Sequence, residues 1–507
     1  MGPAVSETYD LVIIGSGPAG ESAAALAAFF GHRSAVIEKG RPGGVVTTTG
    51  GAPTKTLREA ALYFSGLREG DVYGLRTTAA PEIVTDTIRK RTWSVCELLQ
   101  EVTAQNIAKS DVDYIQGNAR LDQDKSVVVT GRDGRKRKLH AKAVLIATGS
   151  RPWRPKNISF DIPGICDTDT ILHRGRVPRD ILIVGAGPVG VEFVTICHAL
   201  GANVTLADRG DRLLTMIDAE ISDRLSELFK KWGVAVLFES TAESVWAKND
   251  ALEVKLSTGE TLCPDTVLFA AGRVANTENL GLDAAGVGCD SRGRIIVDKT
   301  FRTSAKGVYA AGDVLGPTLA SIAMEQGRAA ICHALGIPFE GTVDPTPVSA
   351  VYGMPEVSGA GLTEEECREK GLDYEVGRAD LGCTPRGAIA GRGGLLKLVF
   401  LKANRKLIGV HCIGDIASEI VGIGQMAIRC GGTMNTIANM SMNTPTYSYA
   451  YKYAAADGLR RTVAAKNEAR LGQIDTRGTG HAGVGQHSRH GPESASVHGE
   501  VSIDPSK

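Results

Sequence analysis

The stretch Tyr9–Gly40, YDLVIIGSGPAGESAAALAAFFGHRSAVIEKG, decides how the first part of the chain folds. An apolar run leads into a glycine turn, an alanine-rich segment follows, and a second apolar run ends at Glu38. This order predicts a strand, a turn, a helix and a second strand. The same plan returns in Arg179–Gly210, RDILIVGAGPVGVEFVTICHALGANVTLADRG. The chain therefore contains an internal duplication of a βαβ unit.

The first glycine turn has the spacing of a phosphate-binding loop, with Gly15, Gly17 and Gly20 forming GxGxxG. The first glycine allows a tight turn, the second lets a pyrophosphate approach the backbone, and the third lets the helix pack on the strand. Free N–H groups and the helix dipole then hold the phosphates. Glu38 closes the next strand, where a carboxylate can accept hydrogen bonds from both ribose hydroxyls. The unit is predicted to bind a dinucleotide.

The second unit repeats the arrangement with Gly185, Gly187 and Gly190, and Asp208 ends its strand. A chain with two such units is predicted to bind two dinucleotides. Proteins of this kind usually hold one flavin permanently and exchange a nicotinamide nucleotide at the other site.

Composition excludes several other classes of protein. The 507 residues are too many for one domain. The 57 basic residues equal the 57 acidic ones, so no overall field favours nucleic acid or an acidic membrane surface. The apolar runs are strand-sized, far short of the ~20 residues of a spanning helix. The start of the chain has no basic region ahead of an apolar one, so no signal peptide is predicted.

The ten cysteines are scattered singly, without a CxxC pair or a metal knuckle. This usage predicts buried thiols in a reducing compartment and therefore a cytoplasmic protein without a metal site. From about Arg461 the chain becomes rich in Gly, Ser and His. That composition predicts a solvated, disordered tail, because it cannot bury enough apolar surface to offset its ordering entropy.

Four further motifs carry a resemblance: ATGSRP (147–152), AAGRVANT (270–277), VYAAGDV (308–314) and MPEVSGAGLTEEE (354–366). With the two glycine turns, they make the chain resemble the pyridine nucleotide–disulfide oxidoreductase family, over roughly residues 8 to 460. That family includes lipoamide dehydrogenase, glutathione reductase, mercuric reductase and the soluble transhydrogenases. The resemblance implies an α/β fold with two Rossmann-like domains, for FAD and for NAD(P), and a C-terminal α+β dimerisation domain.

The resemblance also implies which residues bind the cofactors. Those expected beside FAD include Gly15, Gly17, Gly20, Glu38, Thr148 and Asp313, and those expected beside the nicotinamide nucleotide include Gly185, Gly187, Gly190, Asp208 and Gly272. Further residues of these motifs are expected at the cofactor sites: Ser16, Pro18, Lys39, Gly44, Lys55, Asn118, Ala119, Gly149, Pro188, Val189, Arg209, Arg273, Leu319 and Ala320.

The stretch Gly43–Lys55, GGVVTTTGGAPTK, departs from the family. The family pattern is GGxCxxxxCxPSK. Here Val46 stands at the first cysteine position, Gly51 at the second, and Thr54 where serine is usual. The chain thus lacks both the thiolate that attacks the flavin and the disulfide that accepts its electrons.

A second departure agrees with the first. Disulfide reductases carry an HPTxxE motif that supplies a general acid–base from the partner subunit. Here the stretch is NTPTYSYAYKY (443–453), in which Thr444 replaces the histidine and Tyr449 the glutamate. Neither moves protons near pH 7, since the pKa of tyrosine lies near ~10. Because the two sites are far apart in sequence, their joint loss argues against disulfide reduction.

Lys55 and Glu192 are retained, and both lie inside cofactor motifs. In the family this pair meets beside the flavin N5 and the nicotinamide. A lysine ammonium there stabilises negative charge and helps orient the nicotinamide, which makes the pair the predicted catalytic residues. The alternative is an ordinary ion pair between domains, worth ~0–1 kcal/mol if exposed.

Asp208 and Arg209 bear on the choice of nucleotide. A carboxylate at that strand end favours NAD(H) and repels a 2′-phosphate, whereas Arg209 matches a phosphate-gripping position in the family's NADPH enzymes. The alternative is that Arg209 points to solvent. The pair predicts that NADH is preferred and NADPH tolerated.

These features predict a homodimer with an FAD domain (1–155 and 276–345), an NAD(P) domain (156–275), a dimerisation domain (346–460) and the tail (461–507). KTLREA, QGNARL, DRLLTMIDAEISDRL and YEVGRA resemble the soluble transhydrogenase branch, so the predicted reaction is hydride transfer between NAD(P)H and NAD(P)⁺ through FAD. The alternatives are an NAD(P)H reductase of a quinone or other small acceptor, and a non-catalytic flavin-binding redox sensor.

Overall fold

The computed structural model describes residues 6–65, 81–248, 251–338 and 342–463. The predicted disordered tail lies outside these residues from position 464 onward, and so do its four histidines. The described residues up to Leu459 group into one compact body by their contacts. No helix within the described ranges combines the length and the apolar character needed to cross a bilayer.

The described strands are β1 (Ser6–Ile14), β2 (Ser34–Glu38), β3 (Asp113–Gln116), β4 (Asn118–Leu121), β5 (Val127–Thr130), β6 (Lys136–Ile146), β7 (Ser150–Pro152), β8 (Ile165–Asp167), β9 (Asp180–Val184), β10 (Asn203–Ala207), β11 (Ala235–Leu237), β12 (Ala242–Lys248), β13 (Ala251–Leu256), β14 (Thr261–Leu262), β15 (Thr266–Phe269), β16 (Arg273–Ala275), β17 (Val308–Ala310), β18 (Ser349–Val351), β19 (Glu356–Gly361), β20 (Tyr374–Asp380), β21 (Leu395–Leu401) and β22 (Leu407–Gly414).

The described helices are α1 (Pro18–Phe29), α2 (Gly44–Thr48), α3 (Ala52–Phe64), α4 (Pro81–Lys109), α5 (Pro188–Ala199), α6 (Ala219–Lys231), α7 (Leu282–Ala285), α8 (Ala320–Leu335), α9 (Glu364–Glu369), α10 (Pro385–Ala390), α11 (Ala417–Arg429) and α12 (Met434–Asn439). A further helix begins at residue 450. Short 3₁₀ turns cover Thr170–His173, Asp313–Leu315, Leu381–Cys383 and Tyr447–Tyr449.

The first sheet has the order β3-β2-β1-β6-β5-β4, and β17 also pairs with β6. The pairs β1–β2, β2–β3, β1–β6 and β6–β17 are parallel. Leu11, Val12 and Ile13 are almost fully buried, as expected for a parallel strand that helices cover on both faces. The first glycine turn follows β1, so it lies at the carboxyl end of the sheet, where such folds bind ligands.

The second sheet repeats this plan with the order β11-β10-β9-β15-β8, in which the pairs are parallel. The second glycine turn follows β9, and Asp208 follows β10. Two strands connect the two parallel sheets. The chain leaves the first sheet through β7 and returns to it through β16, and these two strands pair antiparallel to each other. The chain thus leaves the first sheet after β6, builds the second, and comes back to complete the first with β17.

A small antiparallel sheet, β12-β13-β14, follows β11 in the chain. The C-terminal sheet is also antiparallel, with the order β18-β19-β22-β21-β20. Its buried face packs against α11 and the segment around Tyr451 in one apolar cluster. The predicted fold class, two Rossmann-like α/β units followed by an α+β unit, is confirmed. The residue limits given above for the individual domains stay predictions.

Candidate functional site

Both glycine turns require glycine at the first position for the same two reasons. Gly15 has φ +107° and Gly185 has φ +117°, in the region that side chains disfavour. A Cβ on Gly15 would overlap the carbonyl oxygen of Ala147, and one on Gly185 would press on that of Ala270. Each turn therefore fits tightly against the end of a neighbouring strand of its own sheet.

The third glycine of each turn is equally constrained. A Cβ on Gly20 would overlap the carbonyl oxygen of Gly15, and one on Gly190 would overlap that of Gly185. The middle glycines behave differently, because a Cβ on Gly187 would meet nothing within 4 Å and one on Gly17 would reach only a Cα at 4.0 Å. This open side is where a pyrophosphate needs to approach the backbone, so both turns fit a bound dinucleotide.

The two strand-end carboxylates are held by the backbone of their own turns. Oε2 of Glu38 accepts hydrogen bonds from the N–H and the Oγ–H of Ser16, both at 2.9 Å, and Oε1 accepts one from the N–H of Gly40 at 2.7 Å. Asp208 accepts from the N–H groups of Ala186 and Gly210, both at 2.6 Å. Carboxylates fixed in this way retain lone pairs for the hydroxyls of a ribose.

One cavity of about 2780 Å³ brings most of the predicted site residues together. The predicted residues in its lining are Gly15, Gly17, Pro18, Glu38, Lys39, Gly44, Lys55, Asn118, Ala119, Thr148, Gly149, Gly185, Gly187, Pro188, Val189, Glu192, Asp208, Arg209, Gly272, Arg273, Asp313, Leu319 and Ala320. Ser16, Gly20 and Gly190 are predicted residues that lie behind this surface. Ser16 fixes Glu38 there, and the two glycines allow the helices to pack.

Asp313 is fixed at the end of β17 by polar groups from several elements. Ser150 donates its hydroxyl to Asp313 Oδ2 at 2.6 Å, and the N–H of Thr318 donates to Oδ1 at 2.9 Å. Arg273 in turn donates to Ser150 Oγ at 2.7 Å, and its guanidinium lies 3.9 Å from the Asp313 carboxylate. Arg273 follows the second unit in sequence, yet its side chain supports the first.

Lys55 and Glu192 meet as the sequence predicts. Lys55 Nζ lies 2.8 Å and 3.0 Å from the two carboxylate oxygens of Glu192, whose side chain is only 6% exposed. Tyr352, from the end of β18, completes this group by placing its ring centroid 5.0 Å from Lys55 Nζ. Its backbone N–H donates to Glu192 Oε1 at 2.9 Å. The ammonium is therefore held where the first unit, the second unit and the C-terminal sheet meet.

Arg58, one turn after Lys55 on α3, anchors this meeting point. Its Nε donates to the carbonyl oxygen of Gly353 at 3.0 Å, and its Nη2 lies 2.9 Å from Glu356 Oε1. Arg58 and Glu356 are both buried, and Ser418 donates its hydroxyl to Glu356 at 2.6 Å. A buried pair with this many hydrogen bonds fixes α3 against the C-terminal sheet.

The positions that hold cysteines in the resembled family line the cavity with small, unreactive groups. Val45, Val46, Thr48, Gly50 and Gly51 all lie on its wall. All ten cysteines are free and fall within the described residues, and none of them lines the cavity. Burial raises the pKa of the Cys197 thiol to about 12, so this thiol stays protonated near neutral pH.

The segment that replaces the HPTxxE motif lies outside the cavity lining. Thr444 is exposed, and Tyr449 packs edge-to-face on Tyr453 with the ring centroids 5.3 Å apart. Among the described residues of this chain, neither position therefore supplies an acid or base to the cavity.

Two residues that contribute to the cavity were not predicted from the sequence. Tyr352 was not predicted, although it stands two residues before the MPEVSGAG motif, and that neighbourhood was an available signal. Burial raises the pKa of its phenol, with Glu356 and Glu192 adding to the effect, so the hydroxyl remains a hydrogen-bond donor. Arg212, whose side chain lies 3.7 Å from Glu365, also lines the cavity near Asp208 and had no distinguishing sequence signal.

Comparison with known protein families shows which family models the chain matches. Residues 9–327 match the profile of the pyridine nucleotide-disulphide oxidoreductases. Residues 348–455 match the dimerisation domain of the same proteins. The two matches follow the division of the fold into the paired parallel sheets and the C-terminal antiparallel sheet.

The chain is similar along most of its length to proteins named soluble pyridine nucleotide transhydrogenase. One from Mycobacterium bovis BCG Pasteur is 37% identical over 457 residues, covering 89% of this chain and 97% of the relative. One from Marinomonas sp. is 38% identical over 463 residues, covering 89% and 98%.

Solved structures with the same fold include LpdA from Mycobacterium tuberculosis, with a TM-score of 0.83 and 27% identity, covering 89% of this chain and 99% of that one. A Cu(II) complex of the HOCl-induced flavoprotein disulfide reductase RclA from Escherichia coli gives a TM-score of 0.80 and 26% identity, with the same coverage.

Proposed function

Since the chain belongs to the pyridine nucleotide-disulphide oxidoreductase family, we propose that it transfers hydride between two nicotinamide nucleotides through a bound FAD. It is a flavoprotein oxidoreductase that uses nicotinamide nucleotides. The overall reaction is NADH + NADP⁺ → NAD⁺ + NADPH or its reverse, in which no proton or further electron acceptor is consumed.

One observation carries this proposal. Two dinucleotide turns and the Lys55–Glu192 pair surround a single cavity in which no thiol of this chain takes part. The relatives named soluble pyridine nucleotide transhydrogenase, 37% and 38% identical, support the same conclusion. Val46 and Gly51 leave electrons no route to a disulfide.

FAD, when bound, would supply the chemistry for hydride transfer between two nicotinamides. The chain's own residues hold the reactants in position. Lys55 supplies a fixed positive charge that stabilises negative charge in the cavity, and Glu192 and Tyr352 fix its position. The protonated phenol of Tyr352 offers a hydrogen-bond donor, and the glycine turns bind the diphosphates.

We assign FAD to the first unit and the exchanging nucleotide to the second. Gly15, Gly17, Glu38 and the N-terminus of α8 at Ala320 would bind FAD, because they converge at the carboxyl end of the first sheet. The dimerisation domain supports a homodimer. A cytoplasmic location stays a prediction from the use of cysteine.

Steady-state assays of the purified protein test the proposal. NADH with thio-NAD⁺ or NADP⁺ is expected to turn over at ordinary enzyme rates, about 1–10³ per second. NADH with lipoamide or oxidised glutathione is expected to give no turnover above background. Ordinary rates with either disulfide would refute the proposal.

The small-acceptor reductase is the competing outcome of the same experiment. Val46, Thr48 and Gly51 on the cavity wall are small enough to admit a flat oxidant. Fast reduction of quinones together with failure to reduce NADP⁺ or thio-NAD⁺ would select that function instead. Failure of NADH to reduce the bound flavin at all would select the redox-sensor alternative.

A further inference from the structure

A buried lysine in the C-terminal sheet joins that sheet to the second unit. Lys397, in the middle of β21, is 1% exposed. Its Nζ lies 2.7 Å from Asp218 Oδ1, 3.0 Å from Glu220 Oε2 and 2.5 Å from Glu364 Oε1. Asp218 and Glu220 belong to the second unit, at the start of α6, so this one ammonium binds carboxylates from two parts of the fold.

Arg378 on the neighbouring strand β20 reinforces the cluster. Its Nε donates to both carboxylate oxygens of Glu220, at 2.9 and 3.0 Å, and its Nη2 donates to Glu364 at 3.2 Å. Two cations thus face three carboxylates in a largely buried space. Removing one partner from such a cluster leaves buried charge uncompensated, so the geometry of these groups is strongly coupled.

Asp218 connects the cluster to the segment that lines the second nucleotide site, residues 209–217, named here the second-site loop. Asp218 directly follows this loop and caps α6 by accepting the N–H of Glu220 at 3.2 Å. It also accepts the N–H of Glu364 at 3.3 Å. The end of the loop is therefore bonded directly to the C-terminal part of the fold.

The loop is bonded in turn to the second glycine turn. The N–H of Leu214 donates to the carbonyl oxygen of Ala186 at 3.0 Å, and the N–H of Ala186 donates to Asp208. Leu214 has φ +47°, a conformation that a leucine keeps only when its surroundings enforce it. Its side chain is only 1% exposed, and Leu214 lines the cavity together with Arg209, Arg212, Thr215, Met216 and Ile217 of the same loop.

We propose that Lys397 is a positioning residue for the second nucleotide. By fixing Asp218 it fixes the second-site loop and Ala186, so the site is shaped in part from the C-terminal sheet. This inference rests on the proposed assignment of the exchanging nucleotide to the second unit. Asp208 and the glycine turn make the contacts to the nucleotide, and Lys397 acts through them.

The test compares Lys397→Met with Lys402→Met in the full-length, flavin-loaded protein. Lys402 follows the same strand and pairs with Asp373 at 3.1 Å, but that pair is exposed, which makes it the matched control. The probe is ADP-ribose, which carries the adenosine and diphosphate without the nicotinamide. Binding is measured by calorimetry, and amide hydrogen exchange is followed across residues 213–218.

Lys397→Met is expected to raise the Kd of ADP-ribose about tenfold, a size typical of coupling through a packed network. Exchange across residues 213–218 should accelerate, while flavin content and the rate at saturating NADH stay unchanged, so that KM rises without a fall in kcat. Lys397→Arg should restore most of the affinity, and Lys402→Met should behave as wild type. If Lys397→Met does not fold, Glu364→Gln is expected to give a smaller shift in the same direction.

Other results would overturn the proposal. A lower melting temperature with unchanged ADP-ribose affinity and unchanged exchange in Lys397→Met would reduce the cluster to a purely structural role. A proportional loss of flavin would mean general destabilisation, as would an unshifted Kd in Glu364→Gln. Wild-type protein that fails to bind ADP-ribose would overturn the assignment of the second unit as well, whereas ADP-ribose binding without transhydrogenation would affect the proposed function alone.

Discussion

The two βαβ units share one backbone plan and differ in how their turns are secured. In the first, the fully buried Ser16 adds its hydroxyl to the backbone bonds on Glu38. In the second, Ala186 occupies the equivalent place and can offer Asp208 only its N–H. The second turn is secured instead by Leu214, whose loop is held by the Lys397 cluster.

The helices that follow the turns differ in the same sense. The place held by Glu192 in α5 is held in α1 by Ser22, so only the second unit sends a carboxylate to Lys55. The first glycine turn is thus secured by residues of its own unit, which fits the proposed assignment of a cofactor that stays bound. The second glycine turn is secured from outside its unit, and the unit presents the partner of Lys55, the proposed catalytic lysine, which fits the proposed exchange of a nucleotide at this site.

The largest effects are expected from substitutions of the third glycine in each turn, and the lost function should differ between the two units. Gly190→Ala places a Cβ against the Gly185 carbonyl, and overpacking of this kind costs about 1–3 kcal/mol. We expect this protein to keep its visible flavin absorbance and to lose reduction by NADH. Gly20→Ala should instead lose the flavin itself.

Gly422→Ala in α11 is the control, because a Cβ there would meet nothing within 4 Å. It should keep both nucleotides, and its stability should rise by up to about 1 kcal/mol from helix propensity. If Gly20→Ala and Gly190→Ala lose flavin to the same extent, the units are not independent and the contrast between them fails.

Substitutions at the end of β10 should produce the next largest effect. Asp208→Ala removes a charged acceptor and two backbone hydrogen bonds of the turn. The kcat/KM for NADH should therefore fall by a factor that corresponds to about 1–3 kcal/mol. Arg209→Ala, at an exposed position, should leave NADH unchanged and weaken NADPH. Equal effects of both substitutions on both nucleotides would show that this strand end does not discriminate.

Acid should loosen the second unit before the first. Burial alone would raise the pKa of Asp218, but the charges of His411 and Lys397 and the hydrogen bond from Lys397 outweigh it and lower the pKa below 3.8. Burial lowers the pKa of His411 itself, so Lys397 is the effective cation near neutral pH. Burial would also raise the pKa of Glu220, but the hydrogen bonds and charges of Arg378 and Lys397 outweigh burial and lower this pKa below 4.5.

A carboxyl group whose pKa is lower in the folded protein than in the unfolded chain stabilises the fold at pH values above its unfolded pKa. This stabilisation is lost as the pH falls through the pKa of the folded state. Between pH 7 and 5 these two groups should therefore leave stability unchanged, and below about pH 4.5 the loss should begin. Hydrogen exchange measured across that range should show α6 opening before α1. Simultaneous opening of the two helices would contradict the contrast.

The smallest effect is expected at Val46, beside the first turn. Val46→Cys places a sulfur on the cavity wall, and a thiolate there should give a pH-dependent long-wavelength band with the flavin. Lipoamide reduction should stay absent, because Gly51 offers no second sulfur. Val46→Ser is the control, which should give no such band. Uptake of four electrons per flavin by the wild type on dithionite titration would show that a redox-active cysteine pair lies within reach of the flavin, contrary to this prediction.

Backbone sterics explain why the turns were predictable from sequence. Gly15, Gly20, Gly185 and Gly190 are needed because a neighbouring carbonyl leaves no room for a Cβ, and glycine at fixed spacing is visible in any sequence. The Lys55–Glu192 pair followed from the resemblance, and the structure places the two side chains in contact.

The Lys397 cluster could not be predicted in this way. Lys397 interrupts the apolar run LLKLVFL, which is compatible with a strand whose lysine faces solvent. Its burial depends on carboxylates that approach from Asp218, far away in the chain, and local pattern carries no information on such a pairing. Arg273 shows the same limit, since its position after the second unit gave no sign that its side chain supports Asp313.

The late return of β17 to the first sheet has a consequence for biosynthesis. While the ribosome makes residues 147 to 307, the carboxyl half of β6 lacks the parallel neighbour that β17 will provide. At translation speeds of about 5–20 residues per second, this interval lasts on the order of 10 s. The second unit is contiguous and can close first, while an apolar strand edge of the nascent chain waits beside it. Chaperones that shield such edges should therefore engage this protein during translation, before its flavin site exists.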